Sequence, residues 1–205
     1  MKRQLQTVVY GAVLLASLAS LSACAPLIVG GAVMTGVVAT DRRTAGTQVE
    51  DETIELKVAS AVRNEMGDRI HLNVSSFNRQ VLLSGEVRNA ADKERAEKLA
   101  QSQENVKAVV NDLAVMPISS LTQRSKDTVL TGRVKAAFVD AKDLQVNAFK
   151  VVTERGTVYL MGRVTSREAK RATDIARSMS GVTKVVRVLE EISEEELQRL
   201  SRPTK

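Results

Sequence analysis

The chain contains an internal repeat, and this feature restricts the possible folds more than any other. The stretch VLLSGEV at 81–87 recurs as VYLMGRV at 158–164, and NVKAVVNDLAV at 105–115 recurs as GVTKVVRVLEEI at 181–192. Upstream, IELKVASAV at 54–62 matches LTGRVKAAF at 130–138. The copies are 76 or 77 residues apart throughout. The repeat therefore predicts two folded units of roughly 70 residues each.

Each repeat predicts the same order of elements. It begins with a helix, whose buried face comprises Ile54, Val58, Ala61 and Val62 in the first repeat and Leu130, Val134, Ala137 and Ala141 in the second. Two β-rich runs follow around a tight turn. A second helix comes next, with Thr165 or Ser166 as its N-cap and Glu168 in its first turn in the second repeat. A last strand completes the unit. The order αββαβ predicts an α+β fold, in which two helices cover a small mixed three-stranded sheet.

The two predicted hairpins differ in sequence at the turn. In the second repeat Gly156 supplies the positive φ that a short hairpin turn favours. Arg79 occupies this position in the first repeat, where we expect Asn78 to supply the turn and the fold to be unchanged.

The first residues of the chain have the pattern of an exported lipoprotein. Lys2 and Arg3 precede an uncharged apolar run at 8–21, which is about one-third shorter than the ~20 residues of a membrane-spanning helix. The stretch LSAC at 21–24 then resembles the bacterial lipobox, whose cysteine becomes the acylated first residue of the mature protein. Two or more acyl chains, such as palmitate, give stable anchoring, so we expect Cys24 to be a permanent tether. The alternative is ordinary cleavage near Ala23, which leaves a free cysteine.

The position after the cysteine predicts the destination. It is Ala25 and not Asp, which by resemblance to enterobacterial-type lipoproteins favours the outer membrane, with the protein body in the periplasm. The predicted organisation is a signal peptide at 1–23, a lipidated N-terminus and linker at 24–49, folded units at 50–119 and 120–193, and a charged tail at 194–205.

The repeated motifs resemble those of a known family. Two αββαβ units with V-x-L-x-G-x-V strands, an alanine-rich helix and a GV-x-x-VV segment resemble BON domains. With the lipobox and the stretch TDRRTAGTQVEDETIELKV at 40–58, the mature sequence is similar to the dual-BON-domain outer-membrane lipoproteins of the DolP type. The resemblance implies a non-enzymatic role: binding of phospholipid and maintenance of outer-membrane integrity.

Net charge distinguishes the two units. Residues 50–119 contain 9 Lys or Arg against 12 Asp or Glu, a net charge of −3. Residues 120–189 contain 14 against 6, a net charge of +8. Because an anionic membrane surface attracts each nearby basic residue by about 1 kcal/mol, we expect the second unit to face the membrane.

The first helix of the second unit has a second apolar stripe on its far side, flanked by basic residues. This predicted lipid-contacting set comprises Val129, Gly132, Arg133, Lys135, Ala136 and Val139. A helix with an outward apolar ridge beside cations can lie at the headgroup interface, so we predict that the set binds anionic phospholipid. The matching positions of the first unit, Thr53, Leu56, Ser60 and Arg63, are mostly compatible with solvent. Packing between the two units, or an ordinary surface of small residues, remain alternatives for this stripe.

No pattern of catalytic residues is recognisable, and no cofactor or metal site is predicted. The single histidine, His71, is expected at the edge of the first strand without a carboxylate pair around it. With two Tyr, three Phe and no Trp, the chain is poorly suited to binding nucleic acid by base stacking, and export argues against such a partner. The sequence therefore favours a lipid-anchored phospholipid-binding protein. The alternative function is a lipid-anchored adaptor that binds a protein of an envelope complex.

Overall fold

The structure, a computed structural model, describes residues 41–200 apart from the side chain of Asp68. Cys24, the predicted signal peptide and the end of the predicted tail lie outside the described residues.

The chain forms the order αββαβ twice. Domain 1 consists of helix α1 (Ala45–Met66), strands β1 (Ile70–Phe77) and β2 (Gln80–Val87), helix α2 (Ala90–Gln101), and strands β3 (Ala108–Asn111) and β4 (Ala114–Val115). Domain 2 consists of helix α3 (Leu121–Asp140), strands β5 (Phe149–Glu154) and β6 (Thr157–Val164), helix α4 (Ser166–Ser178) and strand β7 (Lys184–Glu191), and helix α5 (Glu194–Leu200) follows it.

Helices α1 and α3 form where the sequence predicts helices, and both are longer than the repeated stretches. Their buried apolar positions recur every four residues: Ile54, Val58, Val62 and Met66 in α1, and Leu130, Val134 and Phe138 in α3. In α3, Phe138 and not Ala137 follows Leu130 and Val134 in the buried core. The predicted core positions Ala61, Ala137 and Ala141 are only half-buried. Helix α4 begins as predicted, at a capping box in which Thr165 and Glu168 bond to each other's backbone N–H groups.

A buried aspartate from the preceding helix holds each hairpin turn. Asn78 and Arg79 have φ of 50° and 66°, and Arg155 and Gly156 have φ of 48° and 74°. The Asp51 carboxylate accepts hydrogen bonds from the backbone N–H groups of residues 78 and 79, both at 2.8 Å. Asp127 accepts from residues 155 and 156 in the same way, both at 2.9 Å. Asn78 thus supplies one of the two left-handed residues of the first turn, as expected. Arg79 supplies the other, and it adopts the conformation that Gly156 adopts in the second turn.

The glycine of the V-x-L-x-G-x-V motif is required by the close approach of backbone from the first half of the hairpin. A Cβ atom at Gly85 would lie 2.1 Å from the carbonyl oxygen of His71. At the equivalent Gly162 it would lie 2.4 Å from the carbonyl oxygen of Ala148. Both distances are far below van der Waals contact with a backbone atom. The motif therefore marks a point where the backbone at or just before the first strand of each hairpin leaves no room for a side chain on the second strand.

The central strand of each sheet is the second strand of the hairpin. In domain 1, β2 pairs antiparallel with β1 and parallel with both β3 and β4. The last strand, predicted as one, is interrupted at Asp112 and Leu113, so this sheet has four strands and not three. Asn111 stabilises the break, since its side-chain oxygen accepts from the backbone N–H of Leu113 at 3.3 Å and its amide donates to the carbonyl oxygen of Lys93 at 2.9 Å. Domain 2 has the predicted three strands, in the order β5-β6-β7.

Several elements begin or end away from their predicted positions. Helix α1 begins at Ala45, inside the stretch 24–49 that is predicted as the lipidated N-terminus and linker. The first β-rich run of the second repeat, LQVNAFKVVT at 144–153, predicts a strand, but β5 begins only at Phe149 because residues 146–148 form a 3-10 turn. Residues 194–200 of the predicted tail form α5, which Arg163 contacts through an ion pair with Glu196 at 2.8 Å.

The two sheets pack face to face. In each domain the two helices cover one face of the sheet, and the opposite face contacts the other domain. A buried cluster fills this interface: Phe77, Leu82, Tyr159, Met161 and Val188. The Tyr159 hydroxyl also donates a hydrogen bond to the Asp112 carboxylate across the interface, at 2.9 Å. Burial together with the negative charge of Asp112 raises the pKa of Tyr159, so the hydroxyl keeps the proton that it donates.

Each hairpin turn contacts a carboxylate of the other domain, at opposite ends of the interface. Asn78 in the turn of domain 1 donates to Glu190 at 2.5 Å. The equivalent residue of domain 2, Arg155, donates to Glu86 at 2.6 Å. The two repeats therefore make equivalent contacts across the interface, which is approximately twofold symmetric. In each domain the hairpin turn binds a carboxylate of the other domain.

Candidate membrane-binding surface

The far side of α3 presents a line of exposed apolar and small residues. Val129 and Val139 are 55% and 65% exposed, and Gly132 and Ala136 between them are also exposed. The two valines are ten positions apart in the helix, a distance of about 15 Å along the axis. A Cβ added at Gly132 would have no atom within 4 Å, so the surface beside it is open. The structure thus brings these predicted residues together on a face that domain 1 does not cover.

The basic residues along this face have no acidic partner among the described residues. Arg133 and Lys135 are exposed beside the valines, and Lys126 lies one turn before Val129. In contrast, four basic residues on or next to α4 are all in ion pairs: Arg163 with Glu190, Arg167 with Glu194, Lys170 with Asp174, and Arg171 with Asp143. Among the described basic residues on or next to α4, Arg177 alone has no ion pair, so the positive charge there is largely compensated, whereas the charge beside the apolar line of α3 is not.

An open groove of about 710 Å³ runs beside the N-terminal half of α3. Lys126, Arg133 and Arg155 line it together with Val129 and Leu130. The opposite wall is formed by the loop between α4 and β7, which includes residues 180, 181 and 183. Sequence reasoning did not identify this groove, because its walls come from three stretches that only the folded domain brings together.

Helix α1 of domain 1 also has exposed apolar residues, but its charge is opposite. Leu56 is 73% exposed, which is at least as much as either α3 valine, and Val49, two helical turns earlier, is similarly exposed. Helix α1 contains five acidic and two basic residues, whereas α3 contains two acidic and four basic ones. The exposed apolar surface alone therefore does not distinguish the two helices, and the charge does.

A polar network surrounds His71 at the end of the domain interface where Arg155 meets Glu86. Its Nδ1 atom lies 2.8 Å from Glu86, which is fully buried. Glu86 also accepts hydrogen bonds from Arg155 at 2.6 Å and from the backbone and hydroxyl of Ser119 at 3.3 and 3.1 Å. Burial opposes ionisation of Glu86, yet these donors outweigh it and hold its pKa below the ordinary value. The expectation that no carboxylate pair surrounds His71 is wrong, since Glu86 and Glu154 both lie near it.

The residues of this network could in principle hold a metal ion, because one ligand atom each from His71, Glu86 and Glu154 lie within 4.8 Å of one another. The charge of Glu86 is already balanced by Arg155, however, and its oxygens already accept hydrogen bonds. Glu154 is held differently: burial and the nearby carboxylates raise its pKa, and Asn73 donates to it at 3.3 Å. The donor set therefore fits a polar junction between the domains better than a metal centre.

Comparison with known proteins assigns the family. The BON domain model matches residues 50–117 and again residues 126–191. The chain is 42% identical over 180 residues to outer membrane lipoprotein DolP of Haemophilus influenzae, covering 86% of this chain and 93% of that protein. It is also 32% identical over 151 residues to the 21 kDa hemolysin of Actinobacillus pleuropneumoniae, and 31% identical over 144 residues to osmotically-inducible protein Y of Escherichia coli. These matches cover 73% and 68% of the chain, and 78% and 72% of the two relatives.

The chain belongs to the BON-domain family. It is a dual-BON-domain outer-membrane lipoprotein of the DolP type. Between residues 41 and 200, no helix combines the length and the apolar character needed to cross a membrane. The exposed line of α3 and the groove beside it both lie largely within the second BON domain, at 126–191.

Proposed function

We propose that the protein binds anionic phospholipid through α3 of its second BON domain and thereby supports the integrity of the outer membrane. Acyl chains on Cys24 hold the chain at the membrane, the protein body faces the periplasm, and the role is non-enzymatic. The observation that carries the proposal is the coincidence on one helix face of exposed Val129 and Val139 with unpaired Arg133 and Lys135. Apolar side chains can enter the headgroup region while the cations attract anionic lipid.

The test is sedimentation of residues 41–205, which lack Cys24, with liposomes. Neutral and anionic vesicles are compared at low and high salt. We expect binding to anionic vesicles only, weakened by salt, because screening reduces attraction between exposed charges.

Val139→Glu should abolish this binding without unfolding the protein, since it places a carboxylate on an exposed position of the apolar line. Leu56→Glu is the matched control, because it makes the same change of charge on an equally exposed position of α1. Loss of binding in both variants would show that only net charge matters. Binding to no vesicle would contradict the proposal and leave the acyl chains as the sole membrane contact.

A second candidate function, that of a lipid-anchored adaptor for an envelope protein, is favoured by domain 1. Val49 and Leu56 form an exposed apolar pair on an acidic helix that neither domain covers. Under this alternative, Leu56→Glu would weaken capture of the partner while leaving liposome binding intact. In another form of this alternative, α3 docks onto domain 1. This form differs from the structure, in which the two domains pack through their sheets.

A further inference from the structure

Three residues that precede domain 1 contact both BON domains. Asp41, Arg42 and Arg43 lie before α1 and outside both stretches that match the BON model. Arg42 and Arg43 are adjacent in the chain, yet their side chains point to different domains. Neither the repeat nor the family match predicts a structural role for this short arm.

Arg42 attaches the arm to domain 2. Its guanidinium donates two hydrogen bonds to the two oxygens of Glu168, both at 2.8 Å, and a third to the carbonyl oxygen of Arg163 at 2.7 Å. The side chains of the pair are only 7% and 3% exposed, so water screens the two charges little. Burial opposes ionisation of Glu168, but Arg42 and the backbone N–H of Thr165 outweigh it and lower its pKa. Glu168 therefore depends on Arg42 for the balance of its buried charge.

Arg43 attaches the arm to domain 1. It donates to Asp51 at 2.8 Å, the same carboxylate that holds the hairpin turn of that domain. Asp41 accepts from the other side of the same guanidinium at 2.7 and 3.1 Å, and so fixes its plane. The guanidinium lies over the ring of Phe77, with 4.1 Å between Cζ and the ring centroid. Phe77 is a member of the cluster between the two sheets.

We propose that Asp41, Arg42 and Arg43 form a clasp that closes one end of the interface between the two BON domains. The other end is held by the chain connection itself, where Ser119 and Arg155 meet Glu86. At the clasp end, two adjacent residues are bonded to different domains, so the sheets cannot separate there unless one set of contacts breaks. The proposal does not depend on lipid binding by domain 2.

The clasp also fixes the position from which the chain continues toward Cys24. Phe138, near the end of α3, stacks edge-on against Phe149 with 5.3 Å between ring centroids. Phe149 pairs with Gly162, the neighbour of Arg163, whose carbonyl oxygen accepts from Arg42. Residue 41 is thus held at the end of domain 2 that carries Val139, the end of α3 opposite to its groove.

The methionines of the chain provide a direct test. Met161 is fully buried between the sheets, Met66 is buried in the core of domain 1, and Met179 packs against the core of domain 2. Methyl NMR of the full chain in detergent, labelled at methionine, therefore reports the interface and the two cores separately. The signal of Met161 is assigned with Met161→Leu. The exposed Met116 supplies a reference position for a solvated methyl group.

The main variant combines Arg42→Gln, Arg43→Gln and Glu168→Gln, which removes the clasp together with the buried charge of Glu168 and leaves the Asp51 carboxylate with its hydrogen bonds from Ser76 and the turn. We expect the Met161 signal to shift toward that of Met116 or to broaden, while Met66 and Met179 keep their positions. Arg43→Gln alone should give a smaller shift, because Asp51 keeps its bonds to Ser76 and to the turn. The matched control is Arg167→Gln, an exposed arginine next to Glu168 in sequence, and it should leave all three signals unchanged.

Two results would overturn the proposal. An unchanged Met161 signal in the triple variant would show that the interface stays closed without the arm. Movement of Met66 or Met179 together with Met161 would show that the arm supports the fold of a domain and not the contact between the domains.

Discussion

At the scale of single residues, the glycines of the chain have opposite roles that the sequence alone does not distinguish. Gly85 has φ of +119°, and a Cβ atom there would lie 2.1 Å from a backbone oxygen of β1. Gly132 lies in a helix, and a Cβ atom there would meet nothing within 4 Å. Gly85 is therefore required by the fold, whereas the packing of domain 2 would accept a larger residue in place of Gly132.

Gly85→Ala should therefore destabilise the protein, while Gly132→Ala should stabilise it. The first change forces β1 and β2 apart, and overpacking of this kind costs about 1–3 kcal/mol or more. The second lowers the entropy of the unfolded chain and favours the helix by about 0.5–1 kcal/mol. Urea unfolding measures both free energies. Equal effects of the two substitutions would contradict the steric explanation of the repeated motif.

At the scale of elements, the position of unpaired charge on α3 predicts how lipid binding responds to substitution. Replacing Arg133 and Lys135 by Gln removes two cations beside the apolar line, each contributing about 1 kcal/mol at an anionic surface. Affinity for anionic vesicles should fall roughly thirtyfold, since 1.36 kcal/mol corresponds to a factor of ten. The control replaces Arg167 and Lys170 by Gln, which lowers the net charge equally on α4, where both residues are in ion pairs. A similar fall in both variants would assign the attraction to net charge and not to α3.

Much of the element order was predictable, because it follows from local periodicity and from the repeat. The four long helices, both hairpins and the choice of Thr165 as one of the two predicted N-caps are confirmed. The interruption at residue 112 was not predictable, since it depends on hydrogen bonds between Asn111 and α2 that form only in the folded domain. The exposed face of α3 follows from helical spacing alone, whereas the groove beside it requires the hairpin turn and a distant loop. The clasp was missed because residues 41–43 show no periodicity.

At the scale of the whole molecule, the sequence carried a signal for the packing of the sheets. A sheet with one face in solvent alternates apolar and polar residues, whereas VLL at 81–83 and VYLM at 158–161 are continuous apolar runs. The structure explains them: Val81 and Leu83 face the helices of domain 1, while Leu82 between them faces domain 2. Each central strand thus contributes to a domain core and to the interface at once.

Because both cores share these central strands with the interface, we expect the two domains to unfold in a single transition. Leu82→Lys should split it into two, since a buried lysine in the interface cannot find a partner there and drives the sheets apart. The core of domain 1 would lose no contact, because Leu82 belongs only to the interface cluster. Scanning calorimetry measures the number of transitions. Leu56→Lys, the same change at an exposed site of α1, should keep one transition. A single transition in Leu82→Lys as well would show that the domains cooperate through the connector and the arm, and not through the packing of their sheets.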